Sequence, residues 1–507
     1  MVYLSKSKYC GLWQCPKIAW LRKYKPEELK LDAGVLSRME AGREVGDLAK
    51  GIFGAYVEIT AYDGEKLDPS KMIADTKAEM DKGTPVICEA TFVFNGLYCA
   101  VDILKKEGGG WAIYEVKSST KHQKDDGSYE DDKEVYIADI SYQRYVLEHC
   151  GIKVTGTYLV CLNGDYVFNG TLDLSRLFFI SDVAEQVEIE IENIEHNVAI
   201  AEKILQSAEE PDIDLSEACH KPYDCAFRPY CFRHIPKESV FDLYRLPFKK
   251  KIEYYRNGWI TFGDLLMNAP IKNEKQLRQI EYGLADKGTY VDKAGIVEFL
   301  DKLSYPLYFL DFETMQPVIP CFVGTKPYTQ IPFQYSLHYI EREGGELKHK
   351  EFLAESGPDP RRTLAEQLCE DIPMNVCVTA YNKAFECTRL KELAAAFPDL
   401  AEHLLNIRDN IVDLLVPFQS GYYYNRAMGG SFSIKSVLPA IFPDDPELNY
   451  HSLEGVHNGS EAMTRFPKIK DMPPEEQAKA RHDLLKYCEL DTYAMVKIWE
   501  ELVRATK

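Results

Sequence analysis

Apolar and polar positions alternate along residues 85–104, and this pattern predicts two strands joined by a tight turn. The first run reads Pro-Val-Ile-Cys-Glu-Ala-Thr-Phe-Val-Phe, and the second reads Leu-Tyr-Cys-Ala-Val-Asp-Ile-Leu. Asn95-Gly96 between two apolar runs is a strong signal for a β-hairpin. A Gly-rich turn then leads into a third predicted strand at 111–117, and the helical period returns at 136–149.

The second half of the chain repeats this mixture of strands and helices. An apolar strand at 305–314 ends in Asp-Phe-Glu-Thr, and a second strand is predicted at 331–340. The stretch 377–386 runs from a strand into a helix, and residues 483–495 have a helical period. Strands that alternate with helices indicate an α/β fold in both halves.

The length of 507 residues predicts two or three domains. We expect a first domain at 1–235 and a last domain at 301–507. The short helical patterns between them, at 236–300, are interpreted as a linker.

The composition is typical of a soluble globular protein, with 45% apolar and 28% charged residues. The sequence has no apolar run of the roughly 18 residues that a membrane helix needs. Its start lacks the apolar core of a signal peptide, so we expect a cytoplasmic protein without a membrane partner. The net charge of −20 argues against a surface coated with basic residues, although local basic clusters remain compatible with nucleic acid.

Acidic residues on the predicted strands of the first half suggest a metal site. Asp102 lies on the second strand, and Glu115 and Lys117, two residues apart, share one face of the third. Carboxylate oxygens suit Mg²⁺ or Mn²⁺, which polarise a scissile phosphate and activate water. Lys117 would orient that water or neutralise developing charge, and Gln143 on the following helix would hydrogen-bond it. An edge-strand ion pair and a surface glutamine are the alternatives.

The cysteines form a second candidate centre. Cys219, Cys225 and Cys231 have five residues between successive members, and another cysteine near the N-terminus would complete a set of four. Fourteen cysteines without a secretory signal argue for thiols or metal ligands rather than disulfides. Free reduced thiols are the simpler alternative.

The second half carries its own acidic series. Four carboxylates close together would repel one another, and two metal ions about 3.5–4 Å apart would offset that repulsion. Two ions at this separation also suit in-line phosphoryl displacement. Tyr487 lies four residues before the last acid, on the same helix face, and would hold or activate the attacking water. Structural ion pairs are the alternative. The candidate metal ligands are Asp311, Glu313, Glu386 and Asp491.

The order Asp102, Glu115-Val-Lys117 and Gln143 resembles the PD-(D/E)XK nucleases of the RecB type. The cysteines resemble those of its iron–sulfur subgroup, which includes the CRISPR-associated exonucleases. The resemblance implies a restriction-endonuclease-like fold and a [4Fe–4S] cluster; zinc is the alternative metal, because four-cysteine sites suit both. The equal gaps of five depart from the close cysteine pair usual in that family. The implied ligands are Cys15, or alternatively Cys10, with Cys219, Cys225 and Cys231.

The second acidic series resembles the DEDD exonucleases of the DnaQ type, which implies a ribonuclease H-like mixed-sheet domain. Tyr487 would place it in the tyrosine subclass. Glu386 departs from the aspartate that the family has at this position, and Asp413 is the alternative ligand. Gly429 to Pro439 also resembles a segment of these exonucleases, and Lys435 or the serines of this segment would touch phosphate. As a whole, the chain resembles a bacterial family of unknown function that fuses these two nuclease types.

These resemblances predict a metal-dependent nuclease, in particular an exonuclease, with two sites that hydrolyse phosphodiester bonds of single-stranded DNA or DNA ends. One alternative is a nucleic-acid-binding or scaffold protein with one or both sites degenerate, which Glu386 favours for the second half. The other is an exonuclease that acts on RNA.

Overall fold

The computed structural model describes residues 4–31, 33–125, 130 and 132–507, and the chain in it divides into two α/β units. Unit 1 comprises the described residues up to His234 together with Pro317–Thr329, and unit 2 comprises Ile235–Gln316 and Gln330–Lys507. The expected last domain at 301–507 therefore needs a correction, because Pro317–Thr329 packs with unit 1. Its Tyr328 donates a hydrogen bond from its hydroxyl to the carbonyl oxygen of Ser118, at 2.8 Å.

Unit 1 is built around a mixed sheet in the order β2-β5-β6-β7-β8-β9, with β1 paired to β6. Its strands are β1 (Leu4–Ser5), β2 (Val57–Glu58), β3 (Tyr62–Asp63), β4 (Lys66–Leu67), β5 (Val86–Phe94), β6 (Leu97–Glu107), β7 (Gly110–Lys121), β8 (Val154–Asn163) and β9 (Phe178–Asp182). Its helices are α1 (Lys6–Gln14), α2 (Pro16–Tyr24), α3 (Ala33–Ala49), α4 (Pro69–Lys82), α5 (Glu134–His149), α6 (Leu174–Leu177), α7 (Ala184–Glu190), α8 (Ile194–Gln206) and α9 (Arg228–Cys231).

The β5–β6 hairpin confirms the prediction from Asn95-Gly96. Phe94 and Leu97 are paired across the antiparallel strands, and Asn95 and Gly96 have φ values of 46° and 84°. Positive φ at both turn residues matches the right-handed twist of the two strands. The hairpin fixes the register of β6 and hence the face on which Asp102 lies.

Both faces of this sheet are covered, and the alternation along β7 shows how. Ile113 packs into the core that includes residues of α1 and α5. Its neighbours Ala112 and Tyr114 pack into the opposite core, which includes Val45 of α3 and Val318. Because successive side chains of a strand point to opposite faces, one short run of apolar residues serves both cores.

Unit 2 contains a second mixed sheet in the order β13-β12-β11-β14-β15. The strands of unit 2 are β10 (Thr289–Val291), β11 (Leu307–Met315), β12 (Ile331–Ile340), β13 (Leu347–Leu353), β14 (Cys377–Ala380), β15 (Ile411–Asp413) and β16 (Tyr423–Asn425). Its helices are α10 (Phe248–Arg256), α11 (Phe262–Asn268), α12 (Glu274–Leu284), α13 (Lys293–Leu300), α14 (Arg361–Asp371), α15 (Ala384–Ala396), α16 (Ala401–Asp409), α17 (Val416–Ser420), α18 (Ile434–Ile441), α19 (Gly459–Arg465) and α20 (Pro474–Thr506).

Strand β11 lies at the centre of this sheet and separates two environments. Tyr308, Leu310 and Phe312 pack against α14, α15 and α16. The opposite face of β11 is covered by the 33-residue helix α20, where Phe309 contacts Trp499. Asp311 lies on this second face, because the alternation of the strand places it there.

The segment 236–300 is helical, as predicted, but it is part of unit 2 rather than a linker. Strand β10 pairs in antiparallel fashion with β16, and Gln276 of α12 donates a hydrogen bond to the Tyr244 carbonyl at 2.7 Å. Apolar residues of this segment form their own small core, which includes Val240, Phe262 and Ile280. Among the described residues, no helix is long and apolar enough to cross a membrane.

Candidate metal centres and nuclease site

The first acidic centre lies where β6, β7 and α5 meet, and it brings the predicted residues together. Glu115 is buried, with 1% of its surface exposed. It accepts hydrogen bonds from the Lys117 ammonium at 2.7 Å and from the Gln143 amide at 2.7 Å. One carboxylate oxygen of Asp102 accepts the backbone N–H of Val116 at 2.8 Å. The strand pairing and the helix α5 thus fix all four predicted side chains around one point.

Two residues that sequence reasoning missed complete this first centre. The Lys6 ammonium, at the start of α1, lies 2.9 Å from Asp102 Oδ1 and 3.1 Å from Glu115 Oε2. Asp139 Oδ2 accepts from Lys117 at 2.6 Å. Asp139 lies one helical turn before Gln143, and this i, i+4 spacing on α5 was a usable signal. Lys6 lies 96 residues before Asp102, so no local pattern identifies it.

The electrostatics of the first centre are those of a compensated ion cluster. Burial would raise the pKa of Glu115, but Lys117 and Lys6 hold it well below its usual range. Burial likewise lowers the pKa of Lys6, yet the carboxylates of Asp102 and Glu115 raise it well above its ordinary value. Both groups are therefore charged at neutral pH, and the ammonium of Lys6 lies between the two carboxylates predicted to bind metal.

A cavity of about 810 Å³ opens onto the first centre. Its wall includes Lys6, Asp102 and Glu115, together with Arg43 and Lys50 from α3 and the turn that follows it. This volume suits a group as large as a nucleotide. Lys6 and Lys50 both form salt bridges with carboxylates of the chain.

The four cysteines of the implied cluster meet at one end of unit 1. Cys15, Cys225 and Cys231 pack on a small core that includes Trp20 and Phe227. Burial, together with the nearby thiols of Cys225, Cys219 and Cys15, raises the pKa of the Cys231 thiol to about 11. Four thiols are the donor set that an iron–sulfur cluster or zinc takes, although among the described residues no three of these thiols lie within 4.8 Å of one another.

The structure distinguishes the two candidate N-terminal cysteines. Cys15 lies close enough to Cys219 for that thiol to add to the rise that burial causes in the Cys15 pKa. Cys10 instead lines a cavity beside Lys117 and Asp139 of the first acidic centre. The four-cysteine group therefore contains Cys15, and Cys10 faces the acids.

The second acidic centre has a different character. Asp311 and Glu313 project from one face of β11, and Asp491 projects toward them from α20. One carboxylate oxygen from each of the three lies within 4.8 Å of the other two. Among the described residues, no Lys or Arg forms an ion pair with these carboxylates. The group therefore brings three carboxylates together without a salt bridge, and the Lys435 ammonium lowers the pKa values of Glu313 and Asp491 only from a longer distance.

Burial and mutual repulsion raise the pKa values of these acids. Burial, Asp491 and Glu313 raise the pKa of Asp311 well above its ordinary value, and burial and Asp491 do the same for Glu313. The pKa of Asp491 is raised to about 6 by burial, with hydrogen bonds from Tyr450 and Tyr487 opposing the rise. A bound cation would favour the ionised form of all three acids.

Tyr487 lies beside this centre, as the sequence predicts. The Lys435 ammonium donates a hydrogen bond to the Tyr487 hydroxyl oxygen at 3.2 Å. Burial and the nearby Asp491 and Glu313 raise the pKa of Tyr487, so the phenol keeps its proton at neutral pH. Tyr450, which sequence reasoning missed, donates to Asp491 Oδ1 at 2.6 Å. Neither its spacing nor its neighbours in sequence mark it as part of the site.

Glu386 is near this centre but does not join the three-carboxylate group. It is buried near the start of α15, with 3% of its surface exposed, and its Oε2 has no hydrogen-bond partner in the described structure. Burial raises the pKa of Glu386 to about 8, and Asp413 adds to the rise. Asp413 itself accepts the backbone N–H groups of Asn382 and Leu415 through Oδ1, at 2.8 and 2.9 Å. Its other oxygen is the one left to act as the alternative ligand.

Residues 308–433 match the family described as Domain of unknown function (DUF2779). This segment contains β11 with Asp311 and Glu313, and it ends before Asp491. An uncharacterized protein of Ureaplasma parvum is 27% identical over 227 residues, which is 40% of this chain and 32% of that protein. An uncharacterized protein of Mycoplasma pneumoniae is 28% identical over 215 residues, or 39% of this chain and 32% of its own length. The chain thus spans about a third of the length of these relatives.

Proposed function

We propose that the chain is a metal-dependent nuclease, and in particular an exonuclease that hydrolyses single-stranded DNA from its ends. The observation that carries this proposal is the convergence of Asp311, Glu313 and Asp491 within 4.8 Å, without a paired cation among the described residues. Divalent metal ions bind groups of carboxylate oxygens and relieve their repulsion. The second centre is therefore the proposed hydrolytic site.

Bound Mg²⁺ or Mn²⁺ would polarise the scissile phosphate at this centre and lower the pKa of a water molecule. Asp311, Glu313 and Asp491 would hold the ions, and buried Glu386 is the proposed fourth carboxylate. Tyr487 keeps its proton, so it orients the attacking water by hydrogen bonding rather than by removing the proton. Lys435 positions the Tyr487 hydroxyl and brings positive charge to the side where phosphate binds.

The mixed sheets of the two units agree with the fold types that the sequence resemblances imply. In unit 2, β11 is antiparallel to β12 and parallel to β14. Carboxylates at the centre of such a sheet, opposite a long helix, are held on rigid elements rather than on loops. This rigidity is what precise placement of two metal ions needs.

For the first centre we propose a second hydrolytic site with Asp102 and Glu115 as metal ligands and Lys117 and Gln143 as catalytic groups. In that role Lys6 has to leave its position between the two carboxylates before a metal ion binds. One observation favours a different role for this centre. Because Lys6 already compensates both acids, unit 1 also fits a domain that binds nucleic acid without cleaving it.

Cleavage of end-labelled single-stranded DNA, duplex DNA and RNA tests the proposal. We expect hydrolysis of single-stranded DNA with Mn²⁺ or Mg²⁺, none with EDTA, and a loss of at least about hundredfold in Asp311→Asn. Asp102→Asn serves as the matched substitution in the first centre. RNA cleavage alone would favour the RNA exonuclease, and no cleavage of any substrate would contradict the nuclease proposal.

We also propose that Cys15, Cys219, Cys225 and Cys231 hold a [4Fe–4S] cluster, with zinc as the alternative. Anaerobic purification followed by visible absorption and metal analysis separates the two. We expect Cys15→Ser to lose the bound metal and Cys10→Ser to retain it. The reverse result would contradict the assignment of Cys15.

A further inference from the structure

A cavity of about 500 Å³ in unit 2 is lined by residues other than the acids of the second centre. Its wall includes Tyr244 and Arg245 from the segment before α10, and Phe432 and Ile434 from the region where α18 begins. It also includes Asn382, which lies between β14 and α15. The segment 236–300 thus contributes directly to a concave surface.

One side of this cavity is aromatic. The rings of Tyr244 and Phe432 lie 4.6 Å apart between centroids. Tyr381 lines the same cavity and donates a hydrogen bond from its hydroxyl to the Phe432 carbonyl at 2.7 Å. These contacts hold the rings in place. Fixed aromatic side chains beside an open cavity are suited to stacking against nucleic-acid bases.

Three cations lie on or beside the cavity: Arg245 lines it, and Lys275 and Arg278 line a small adjoining pocket that shares Tyr244 and Phe432 with it. Arg245, Lys275 and Arg278 lie close enough that the two guanidinium groups add to the effect of burial in lowering the pKa of Lys275. In the described parts of the chain, no Asp or Glu forms an ion pair with any of the three. Lys275 donates to the Gln419 carbonyl and Arg278 to the Gly421 carbonyl, so both are held in position. Arg278 also lies over the Tyr290 ring, 3.7 Å from its centroid.

Arg245 is the cation best placed to meet a ligand. Its side chain is exposed at the cavity, and its backbone has a φ of 46°. This left-handed conformation is uncommon for residues other than Gly, Asn and Asp. The fold therefore maintains an unfavourable backbone conformation at the position where the guanidinium lines the cavity.

Two residues that line the cavity connect it to the second acidic centre. Ile434 lines it, and the next residue, Lys435, contacts Tyr487. Asn382 lines it, and its backbone N–H donates to Asp413, whose charge affects Glu386. A single strand of DNA held in the cavity is thus adjacent to the elements that build the proposed hydrolytic site.

We propose that this cavity binds single-stranded DNA, with a base stacked on Phe432, whose ring packs against the buried Tyr244, and a phosphate paired with Arg245, and that it guides the strand to the second centre. The guiding role rests on the proposed nuclease function, whereas the binding role does not. Segment 236–300 is then a wall of the substrate path.

The test measures the binding of a 5′-fluorescein-labelled oligodeoxythymidylate of twelve nucleotides by fluorescence anisotropy. The buffer contains EDTA so that no metal-dependent cleavage occurs. We expect Arg245→Glu to weaken binding at least tenfold. The slope of log affinity against log salt should fall by about 0.7, the value for one lost phosphate contact on a single strand. Phe432→Ala should weaken binding about fivefold or more, with the salt slope unchanged.

Lys249→Glu is the matched control, because Lys249 is an exposed cation of α10 in the same segment. We expect it to change the affinity less than twofold. The proposal would be overturned if Lys249→Glu and Arg245→Glu weakened DNA binding equally. It would also be overturned if Arg245→Glu and Phe432→Ala both bound DNA with an affinity within twofold of the unchanged protein. Arg245→Ala, at an exposed position, keeps the test decisive if Phe432→Ala fails to fold.

The two proposals fail separately. If the unchanged protein cleaves no substrate but Arg245→Glu loses DNA binding, the cavity proposal stands and the nuclease proposal fails. If the unchanged protein shows metal-dependent cleavage but Arg245→Glu binds DNA normally, the nuclease proposal stands and the cavity proposal fails.

Discussion

The two acidic centres of this chain contain similar carboxylates but balance their charge in opposite ways. In the first, Lys6 and Lys117 pair with Asp102, Glu115 and Asp139 at distances of 2.6 to 3.1 Å. In the second, Asp311, Glu313 and Asp491 face one another with no such cation among the described residues. The two carboxylate clusters therefore differ in their partners: two ammonium groups form salt bridges with the three acids of the first, whereas the second needs added cations.

The largest expected effect comes from removing one charge in each centre without metal. Glu115→Gln leaves Lys6 and Lys117 short of a buried partner, and we expect it to lower the free energy of unfolding by about 3 kcal/mol. Asp311→Asn removes a repulsion between carboxylates and should raise the free energy of unfolding by about 1 kcal/mol at pH 8. This is the energy of two charges about 4 Å apart in water. Urea unfolding in EDTA measures both. Destabilisation of similar size in both variants would break the comparison.

The second centre also predicts how stability without metal depends on pH. Since the pKa of Asp491 is raised to about 6 in the folded chain, the folded state binds more protons than the unfolded state above pH 4. Stability in EDTA should therefore fall as the pH rises from 4 to about 6. For Asp491 alone the loss is about 3 kcal/mol, at 1.36 kcal/mol per pKa unit.

Asp491→Asn is the control for this pH dependence, and it should make the fall less steep, because Asp311 and Glu313, whose pKa values are also raised, still contribute to it. Glu386, whose pKa is raised to about 8, extends the fall toward pH 8. Saturating Mn²⁺ should reduce it, because the metal replaces the protons. Thermal unfolding across this range measures the effect, and the same slope in Asp491→Asn would contradict the assignment to this centre.

Tyr487 and Lys117 hold comparable positions beside the two centres, and Tyr487→Phe tests whether the second one is catalytic. The change removes the hydroxyl that orients water and leaves the ring in place. We expect kcat for single-stranded DNA to fall about 10- to 100-fold, or about 1.4 to 2.7 kcal/mol, with Mn²⁺ binding retained. Tyr450→Phe, which alters only a hydrogen bond to Asp491, should have a smaller effect. An unchanged kcat in Tyr487→Phe would remove Tyr487 from the proposed mechanism.

A smaller effect is expected from converting the first centre into one that resembles the second. Lys6→Ala removes the ammonium between Asp102 and Glu115, and we expect Mn²⁺ to bind there at least tenfold more tightly, about 1.4 kcal/mol. Isothermal titration on an Asp311→Asn background isolates this site. Lys8→Ala, at an exposed lysine two residues on, is the control. Equal affinity with and without Lys6 would show that Lys6 does not compete with metal.

The sequence predicted those parts of the molecule whose signals are local. Asn95-Gly96 located the hairpin, and the spacing of Glu115 and Lys117 placed them on one face of β7. Residues 483–495 gave the central part of α20, although the helix extends over Pro474–Thr506. Short-range alternation and helical period are sufficient for these features, because they depend on neighbours within a few residues.

The features that were not predicted depend on contacts between distant segments. Lys6 reaches Asp102 because β1 pairs with β6, placing Leu4 beside Leu97, and nothing near residue 6 encodes that register. Pro317–Thr329 joins unit 1 through contacts such as that between Tyr328 and Ser118. The segment 236–300 reads locally as a set of short helices, and its place in unit 2 depends on pairing between β10 and β16.

Counting bound Mn²⁺ by electron paramagnetic resonance tests the central claim most directly, namely that the second centre is where divalent metal binds. Titrating metal into the unchanged protein, Asp311→Asn and Asp102→Asn compares the two centres under identical conditions. The account predicts that Asp311→Asn loses the tightest Mn²⁺ site and that Asp102→Asn retains it. Loss of that site in Asp102→Asn, with tight binding kept in Asp311→Asn, would contradict the account.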